Sequence, residues 1–205
     1  RTTQTRAPAG AGVPGVDRGG PHASILEAVG RTPVVRMARL FEESGLEVYG
    51  KLEALNPGGS IKDRAAYNIL THALAAGVID HDTTVVESSS GNFAIGLAQV
   101  CAYLGLRLIC VVDIKTTQLN MSIMQAYGAR VDLVDKPDPE SGEYLKARLK
   151  RVQQIEAIWS VGPTPERVFA LLAADALALV AVAAAVEWAE ARERPTVPSR
   201  PRLPL

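Results

Sequence analysis

The sequence predicts an α/β fold, a three-layer αβα arrangement in which helices cover both faces of a mostly parallel sheet. From about residue 23 to residue 154, short apolar or β-branched runs alternate with helical patterns of ten or more residues, which is typical of βαβ units. Residues 107–112 form an almost continuous apolar run, as expected for a strand buried on both faces. Hydrophobic residues make up 47% of the 205 residues, which is enough for an ordinary core.

The first half of this segment contains predicted strands at 32–37 and 47–52, a helix at 63–76 and a strand at 84–87. A proline near its start opens the first strand. The helix has apolar residues at three- and four-residue intervals, and Gly77 is expected to end it because glycine readily adopts the left-handed conformation. The last strand reads Thr-Val-Val-Glu, and its β-branched residues favour a buried strand.

The second half continues the same alternation. Gly105 and Gly128 mark the ends of its first two helices. The predicted elements are a helix at 92–104, a strand at 107–112, a helix at 117–127, a strand at 131–134 and a charged amphipathic helix at 142–154. Ligands of such sheets bind at the carboxyl ends of the strands, so a site is expected in the loops that follow them.

Composition and residue spacing exclude several classes of function. The 22 basic and 22 acidic residues balance to a net charge of zero, which gives no indication of a nucleic-acid or membrane partner. His22, His72 and His81 have no metal-ligand spacing with each other or with the cysteines, so no metal site is predicted. Cys101 and Cys110 are expected to be reduced core residues of a cytoplasmic protein.

The two ends of the chain differ from its middle. Residues 1–22 are rich in Thr, Ala, Gly, Pro and Arg and lack the apolar core of a signal peptide, which predicts a disordered leader. Residues 155–205 predict an atypical region, an alanine-rich helix followed by a tail rich in proline and arginine. Asp175 near the centre of the apolar stretch 169–186 argues against a membrane span.

One loop combines a lysine with a glycine-rich turn. Residues 56–64 read Asn-Pro-Gly-Gly-Ser-Ile-Lys-Asp-Arg and place Lys62 where the loop passes into a predicted helix. Gly58 and Gly59 let the backbone approach a planar ligand closely, and Ser60 is a candidate helix cap. Partial burial would favour the neutral amine of Lys62, which could then form a Schiff base with an aldehyde. The alternative is an ordinary surface lysine at a loop-to-helix junction.

A second loop reads Glu-Ser-Ser-Ser-Gly-Asn and lies between a predicted strand and a predicted helix. Backbone amides and hydroxyls before a helix form a natural anion site, so Ser89, Ser90 and Gly91 are candidates for binding a substrate carboxylate. Asn92 offers an amide to a cofactor hydroxyl. The alternative is a serine-rich helix start without a ligand. Together and in this order, the two loops indicate pyridoxal 5'-phosphate chemistry.

These motifs resemble those of the fold type II (tryptophan synthase β-like) pyridoxal-phosphate enzymes, especially the cysteine synthase branch. Within it the chain is most similar to the N-(2-amino-2-carboxyethyl)-L-glutamate synthases of 2,3-diaminopropionate biosynthesis, which serve siderophore and antibiotic pathways. The resemblance covers residues 23–154. The further residues that carry it are Cys110-Val111-Val112-Asp113, Tyr127-Gly128-Ala129, Lys136-Pro137-Asp138, Gly142-Glu143-Tyr144-Leu145 and Arg151-Val152-Gln153.

The resemblance implies the smaller domain of that fold, with the larger domain incomplete, and a role for each motif residue. Lys62 would hold the cofactor and take the substrate Cα proton, Asn92 would bind the cofactor's ring hydroxyl, and Ser89, Ser90 and Gly91 would bind the substrate carboxylate. The implied reaction is β-replacement, in which O-phospho-L-serine loses phosphate and the amine of L-glutamate adds. A homodimer of the family type is compatible with it. The alternatives are a cysteine synthase acting on O-acetylserine or phosphoserine, and a non-catalytic fragment.

The last part of the chain departs from the resemblance. Such enzymes hold the cofactor phosphate on a Gly/Thr/Ser-rich loop roughly a hundred residues beyond the asparagine, whereas Gly162 is the last glycine here and Lys150 the last lysine. We hypothesise that the reading frame departs from the family near residue 155, which would explain the Ala/Arg/Pro bias that follows. Translating the nucleotide sequence in the other two frames tests this, because one of them should restore a glycine-rich loop.

Overall fold

The computed structural model describes residues 24–37, 39, 41, 45–160 and 168–171. Single turns of 3-10 helix lie at Ile25–Ala28 and Glu53–Leu55. The other elements are, in chain order, the strands β1 (Val34–Arg36) and β2 (Tyr49–Lys51), then α1 (Lys62–Ala75), β3 (Thr84–Glu87), α2 (Asn92–Leu104), β4 (Arg107–Asp113), α3 (Gln118–Ala126), β5 (Arg130–Val134), α4 (Tyr144–Ser160) and β6 (Val168–Leu171).

Within the described residues, four strands form one parallel sheet in the order β5-β4-β3-β6. Val85 in β3 lies beside Leu108 of β4 and Phe169 of β6, which fixes the register at the centre of the sheet. Successive residues of a strand point to opposite faces, and both faces of β3 and β4 are buried. The predicted α/β fold with a parallel sheet is therefore confirmed.

Helices cover both faces of this sheet. Val85 and Cys110 pack with Leu70 of α1 and Leu97 of α2 in one apolar cluster, to which Met124 of α3 also belongs. The alternate strand residues form a second cluster on the opposite face. Its buried members are Val86, Ile109, Val111, Val152 and Ile155, the last two from α4. This is the three-layer αβα arrangement that the sequence predicted.

The strands β1 and β2 lie outside the parallel sheet. In the described part of the chain they pair with each other, antiparallel, with Val35 opposite Gly50. Most of their residues are exposed. The sequence therefore predicted both strands but not their separation from the βαβ units, because short strand patterns carry no information on pairing partners.

The region after residue 154 also differs from expectation. Helix α4 continues beyond the predicted end at residue 154, to Ser160. Residues 168–171 form a strand rather than part of an alanine-rich helix, because Val168 and Phe169 favour strands and the segment pairs with β3, where Leu171 is buried. The leader at 1–22, the rest of the alanine-rich stretch and the tail lie outside the described residues. No described helix is long and apolar enough to cross a membrane.

Both cysteines belong to the core. Cys101 in α2 and Cys110 in β4 are free, buried thiols. Burial raises the pKa of each thiol to about 12, so both are protonated and poorly reactive at neutral pH. Among the described residues, no group of His, Cys, Asp and Glu side chains could hold a metal ion.

Candidate active site

Lys62 is the first residue of α1, so the loop before it decides where the lysine lies. The N–H of Gly59 donates to Asn56 O at 2.8 Å, and Ser60 Oγ accepts the Lys62 backbone N–H at 3.2 Å. Gly59 has a φ of +80°, a backbone conformation that residues other than glycine rarely adopt. The chain therefore turns tightly into the helix. The Lys62 side chain is exposed, in contrast to the partial burial that the sequence suggested.

The two ends of this loop meet at one carboxylate, Glu53. Asn56 Nδ2 donates to Glu53 Oε2 at 2.7 Å. Arg64 donates to both carboxylate oxygens, from Nε to Oε2 at 2.8 Å and from Nη2 to Oε1 at 3.0 Å. Asn56 Oδ1 also accepts the N–H of Gly30 at 2.8 Å. The residues on either side of Lys62 are therefore tied to the same anion by charge-assisted hydrogen bonds.

The surroundings of Glu53 keep it ionised. Burial by itself would raise its pKa, but hydrogen bonds from Arg64, Thr32 and Asn56 outweigh burial and lower the pKa to about 2. Thr32 contributes through its hydroxyl, which donates to Glu53 Oε1 at 2.8 Å. Sequence reasoning missed Glu53 and Thr32 because neither belongs to a recognisable motif; the one available signal was an acidic residue three positions before the Asn-Pro-Gly-Gly turn.

The second loop leaves the carboxyl end of β3. Ser88, Ser89 and Ser90 are partly buried, and Gly91 is the N-cap of α2, where no side chain makes a capping hydrogen bond. The first amides of a helix have no acceptor within the helix, and they favour an anion. Asn92 is the first residue of α2 and is exposed. The structure thus brings the predicted carboxylate-binding residues together with Asn92 at this helix start.

Asn120 supports this loop from α3. Its Nδ2 donates to Ser90 O at 3.0 Å, and its backbone N–H donates to the side chain of Thr117, which caps α3. Within the described residues, Ser88 Oγ is buried without a hydrogen-bond partner. No sequence pattern points to Asn120, because a polar residue in the first turn of a helix is common and its contact is distant along the chain.

Glu87 ends β3 immediately before the second loop and is 4% exposed. Burial raises its pKa to about 8, although Arg148 and the backbone N–H of Ser88 act in the opposite direction. Arg148 lies closest to another carboxylate, with its Nε 3.2 Å from Asp113 Oδ2. The carboxyl of Glu87 is therefore largely protonated at neutral pH. The sequence predicted Glu87 as the end of a strand and the start of the second loop, with no functional role.

The two loops are joined by the packing of α1 on α2. A Cβ on Gly96 would lie 3.2 Å from the backbone oxygen of Lys62 and 3.3 Å from Cβ of Ala66. The absence of a side chain at Gly96 therefore lets α2 lie directly against the first turn of α1. Gly96 is one helical turn after Asn92, roughly 6 Å along the helix axis. Lys62 and the second loop consequently lie at the same end of the helix pair.

This set of groups fits one side of pyridoxal phosphate. Lys62 would offer a primary amine to its aldehyde, Asn92 would offer an amide to its ring hydroxyl, and the uncapped start of α2 would offer amides to an anion. The described residues contain no glycine-rich phosphate loop after α2. The site therefore matches the aldehyde and ring side of the cofactor.

The family comparison agrees with this chemistry. A model of the family described as pyridoxal-phosphate dependent enzyme matches residues 25–167 of the chain. The chain belongs to this family. Because the family is pyridoxal-phosphate dependent, the cofactor predicted from the two loops is confirmed.

The solved structures that are similar to this chain include cysteine synthase-like enzymes. A hydrogen sulfide-producing enzyme from Fusobacterium nucleatum is 31% identical, with a TM-score of 0.62 over 75% of this chain and 46% of its own. O-ureido-L-serine synthase is 32% identical, with a TM-score of 0.62 over 73% of this chain and 44% of its own. An O-acetylserine dependent cystathionine β-synthase from Helicobacter pylori is 29% identical, with a TM-score of 0.61 over 73% and 46%. The chain thus spans less than half the length of each.

Proposed function

We propose that the chain carries the lysine and carboxylate-binding half of a site for β-replacement on an amino acid. The observation that carries the proposal is the contact at Gly96, where the backbone of Lys62 meets α2 one turn beyond Asn92. A reactive amine and an anion site must lie close together to act on the two ends of one small substrate. The packing of the two motif helices supports that arrangement.

Each motif residue has its own role in this proposal. When bound, pyridoxal phosphate supplies an aldehyde for the lysine amine and a ring that withdraws electrons from the substrate Cα. Lys62 would hold the cofactor through Nζ and, once the substrate amine has displaced it, the freed Nζ would take the Cα proton. The hydroxyls of Ser89 and Ser90 and the amide of Gly91 bind the substrate carboxylate. Asn92 orients the cofactor through its ring hydroxyl.

We propose O-phospho-L-serine and L-glutamate as the substrates. The bond between Cβ and the phosphate oxygen breaks, phosphate leaves, and the glutamate nitrogen forms a bond to the same Cβ while losing a proton. The product is N-(2-amino-2-carboxyethyl)-L-glutamate, a precursor of 2,3-diaminopropionate. The motifs at 110–113, 127–129 and 136–138 support this choice by their resemblance to synthases of that product. A cytoplasmic homodimer of the family type, without a nucleic-acid or membrane partner, completes the proposal.

A second candidate is a cysteine synthase-type reaction, in which sulfide replaces glutamate as the nucleophile. The similarity to a hydrogen sulfide-producing enzyme and to an O-acetylserine dependent enzyme favours it. Both candidates use the same Lys62 and the same carboxylate loop and differ only in what attacks Cβ. A third reading, a fragment that folds but does not turn over substrate, follows from the lack of a phosphate loop in the described residues.

Cofactor titration of the purified chain tests the lysine assignment. We expect visible absorbance near ~420 nm from lysine-bound pyridoxal phosphate, and we expect Lys62→Ala to abolish it. Lys136→Ala, at an exposed lysine, is the matched control and should leave it unchanged. Binding should be weak, because helix or loop amides that hold the phosphate normally supply much of the affinity. Absorbance that survives Lys62→Ala would refute the assignment, and stoichiometric binding would refute the expected weakness.

Product analysis at saturating cofactor separates the three readings. Phosphoserine with glutamate should yield phosphate and the glutamate adduct, measured by mass spectrometry. Cysteine formed from phosphoserine or O-acetylserine with sulfide, and no adduct with glutamate, would favour the second candidate. Cofactor attachment at Lys62 without any product would favour the non-catalytic fragment.

A further inference from the structure

The side chains of Asp63 and Gln99 both lie close to Gly58. Asp63 directly follows Lys62 in α1 and is 1% exposed, and Gln99 on α2 is 4% exposed. A Cβ built on Gly58 would lie 2.5 Å from Asp63 Oδ1 and 2.8 Å from Gln99 Oε1. The carboxylate of one motif helix and the carboxamide of the other therefore enclose the backbone of the Lys62 loop, and they leave no room for a side chain at position 58.

Asp63 and Gln99 make only some of the hydrogen bonds that their side chains could make. The backbone N–H of Gly58 donates to Asp63 Oδ2. Among the described residues, Asp63 Oδ1 and both amide atoms of Gln99 are buried without a hydrogen-bond partner. A carboxamide has one donor end and one acceptor end, so a half-turn of the Gln99 amide would place its NH₂ against Asp63 Oδ1. This pairing satisfies a buried donor and a buried acceptor, as native interiors require.

The buried carboxyl of Asp63 gives this pairing a driving force. Burial raises the pKa of Asp63, the N–H of Gly58 lowers it, and the nearby Glu53 raises it. An additional N–H from Gln99 would favour the ionised carboxylate. A buried carboxylate held by one backbone amide and one side-chain amide is a strong link between its two neighbours, because hydrogen bonds to charged groups exceed neutral ones in strength.

We propose that Asp63 and Gln99 are positioning residues that join the Lys62 loop to α2 and so fix the lysine amine relative to the anion site at residues 89–92. This inference rests on the proposed role of Lys62 as the cofactor-attaching lysine. Asp63 is the chain neighbour of Lys62, and Gln99 lies two helical turns beyond Asn92 on the same helix. The pair therefore ties together the two halves of the site.

Exchange of the two groups separates positioning from packing. Gln99→Glu places two carboxylates together, and Asp63→Asn removes the charge at unchanged size. The double variant Asp63→Asn with Gln99→Glu restores one carboxylate and one carboxamide in exchanged positions. The readout is the fraction of Lys62 that carries pyridoxal phosphate after borohydride reduction, measured by peptide mass spectrometry and compared with the exposed Lys136 and Lys146. The unfolding midpoint of each variant is measured in parallel.

We expect wild-type Lys62 to be modified more than Lys136 and Lys146, and each single variant to lower this excess roughly fivefold. The double variant should recover most of it. Gln154→Glu, an exposed glutamine on α4, is the matched control and should change nothing. Should Gln99→Glu not fold, Gln99→Leu buries no charge and carries the same expectation of a lowered excess at Lys62.

The possible failures are distinct. If wild-type Lys62 is modified no more than Lys136 and Lys146, the proposed function fails and this inference fails with it. If wild-type Lys62 is preferred but the folded single variants retain the preference, positioning by Asp63 and Gln99 is refuted and the proposed function stands. A lower unfolding midpoint with an unchanged excess at Lys62 would identify a purely structural pair and would also overturn the inference.

Discussion

The two loops of the candidate site rest on carboxylates with opposite surroundings. Beneath the Lys62 loop, hydrogen bonds from three side chains overcome the effect of burial and lower the pKa of Glu53 to about 2. Before the second loop, residues 88–91 and hereafter the serine loop, burial raises the pKa of Glu87 to about 8. Glu87 Oε2 has no hydrogen-bond partner among the described residues. One carboxylate is charged throughout the neutral range, whereas the other is largely protonated there.

The two loops are also held in place by different numbers of hydrogen bonds. The segment that carries Lys62 is closed at both ends by charge-assisted hydrogen bonds to Glu53, which hold their geometry at neutral pH. Among the described residues, the serine loop has one side-chain support, from Asn120 to Ser90 O, and its helix start is uncapped. Its polar groups therefore remain available for a ligand, and less of the protein's own bonding fixes them.

The largest effect of a substitution is expected from removing the carboxylate of the first loop. Glu53→Ala leaves Arg64 and Asn56 without their shared acceptor in a largely buried setting, so we expect a loss of about 4 kcal/mol in the free energy of unfolding. Urea unfolding followed by circular dichroism measures it. Glu140→Ala, at an exposed glutamate, is the control. A loss below about 1 kcal/mol, the range of a surface ion pair, would show that Glu53 does not brace this loop.

The second prediction concerns pH and the second loop. Glu87 titrates near 4.5 when unfolded and near 8 when folded, so between these values the folded protein holds a proton that the unfolded chain has lost. The free energy of unfolding should therefore fall as pH rises through this window, by about 5 kcal/mol. Urea unfolding at several pH values measures the slope, and Glu87→Gln should flatten it. An equal slope in wild type and Glu87→Gln would show that Glu87 is not the group responsible.

Sequence patterns predicted the sheet and the motif residues but not what supports them. Periodicity placed α1, α2, β3 and β4 to within a residue or two, because buried helices and strands carry strong apolar patterns. The strand Val168–Leu171 was missed, because its pairing with β3 outweighs the helix preference of the alanines around it. Lys62 and the serine loop stood out because glycine and serine cluster beside them.

The supporting residues could not be predicted in the same way. Glu53, Gln99 and Asn120 act through contacts with residues that are distant in sequence or follow no periodic pattern. A single glutamate, glutamine or asparagine is common in any chain, so its type alone indicates nothing. Only the packing of α1, α2 and α3 shows which of these polar residues meet the two loops.

The third prediction tests the joint between the two loops. Gly96→Val adds atoms where a Cβ alone would lie 3.2 Å from the Lys62 carbonyl oxygen, so α2 must move away from α1 at a cost of about 2 kcal/mol. Thermal unfolding measures the stability, and borohydride trapping of pyridoxal phosphate at Lys62 measures the geometry. Ala102→Val, at an exposed position of the same helix, is the control. Unchanged stability and trapping in Gly96→Val would refute a close joint at this glycine.

The smallest effect is expected at Asn120, the side-chain support of the serine loop. Asn120→Ala removes the donor to Ser90 O, a neutral and partly buried hydrogen bond, so the free energy of unfolding should fall by only about 1 kcal/mol. Amide hydrogen exchange of residues 88–92 should accelerate, while exchange in the Lys62 loop should not change. Ser122→Ala, at an exposed residue of the same helix, should alter neither. Faster exchange in both loops would show that Asn120 supports the whole site. The proposed contrast between a Lys62 loop held by Glu53 and a less supported serine loop would then be wrong.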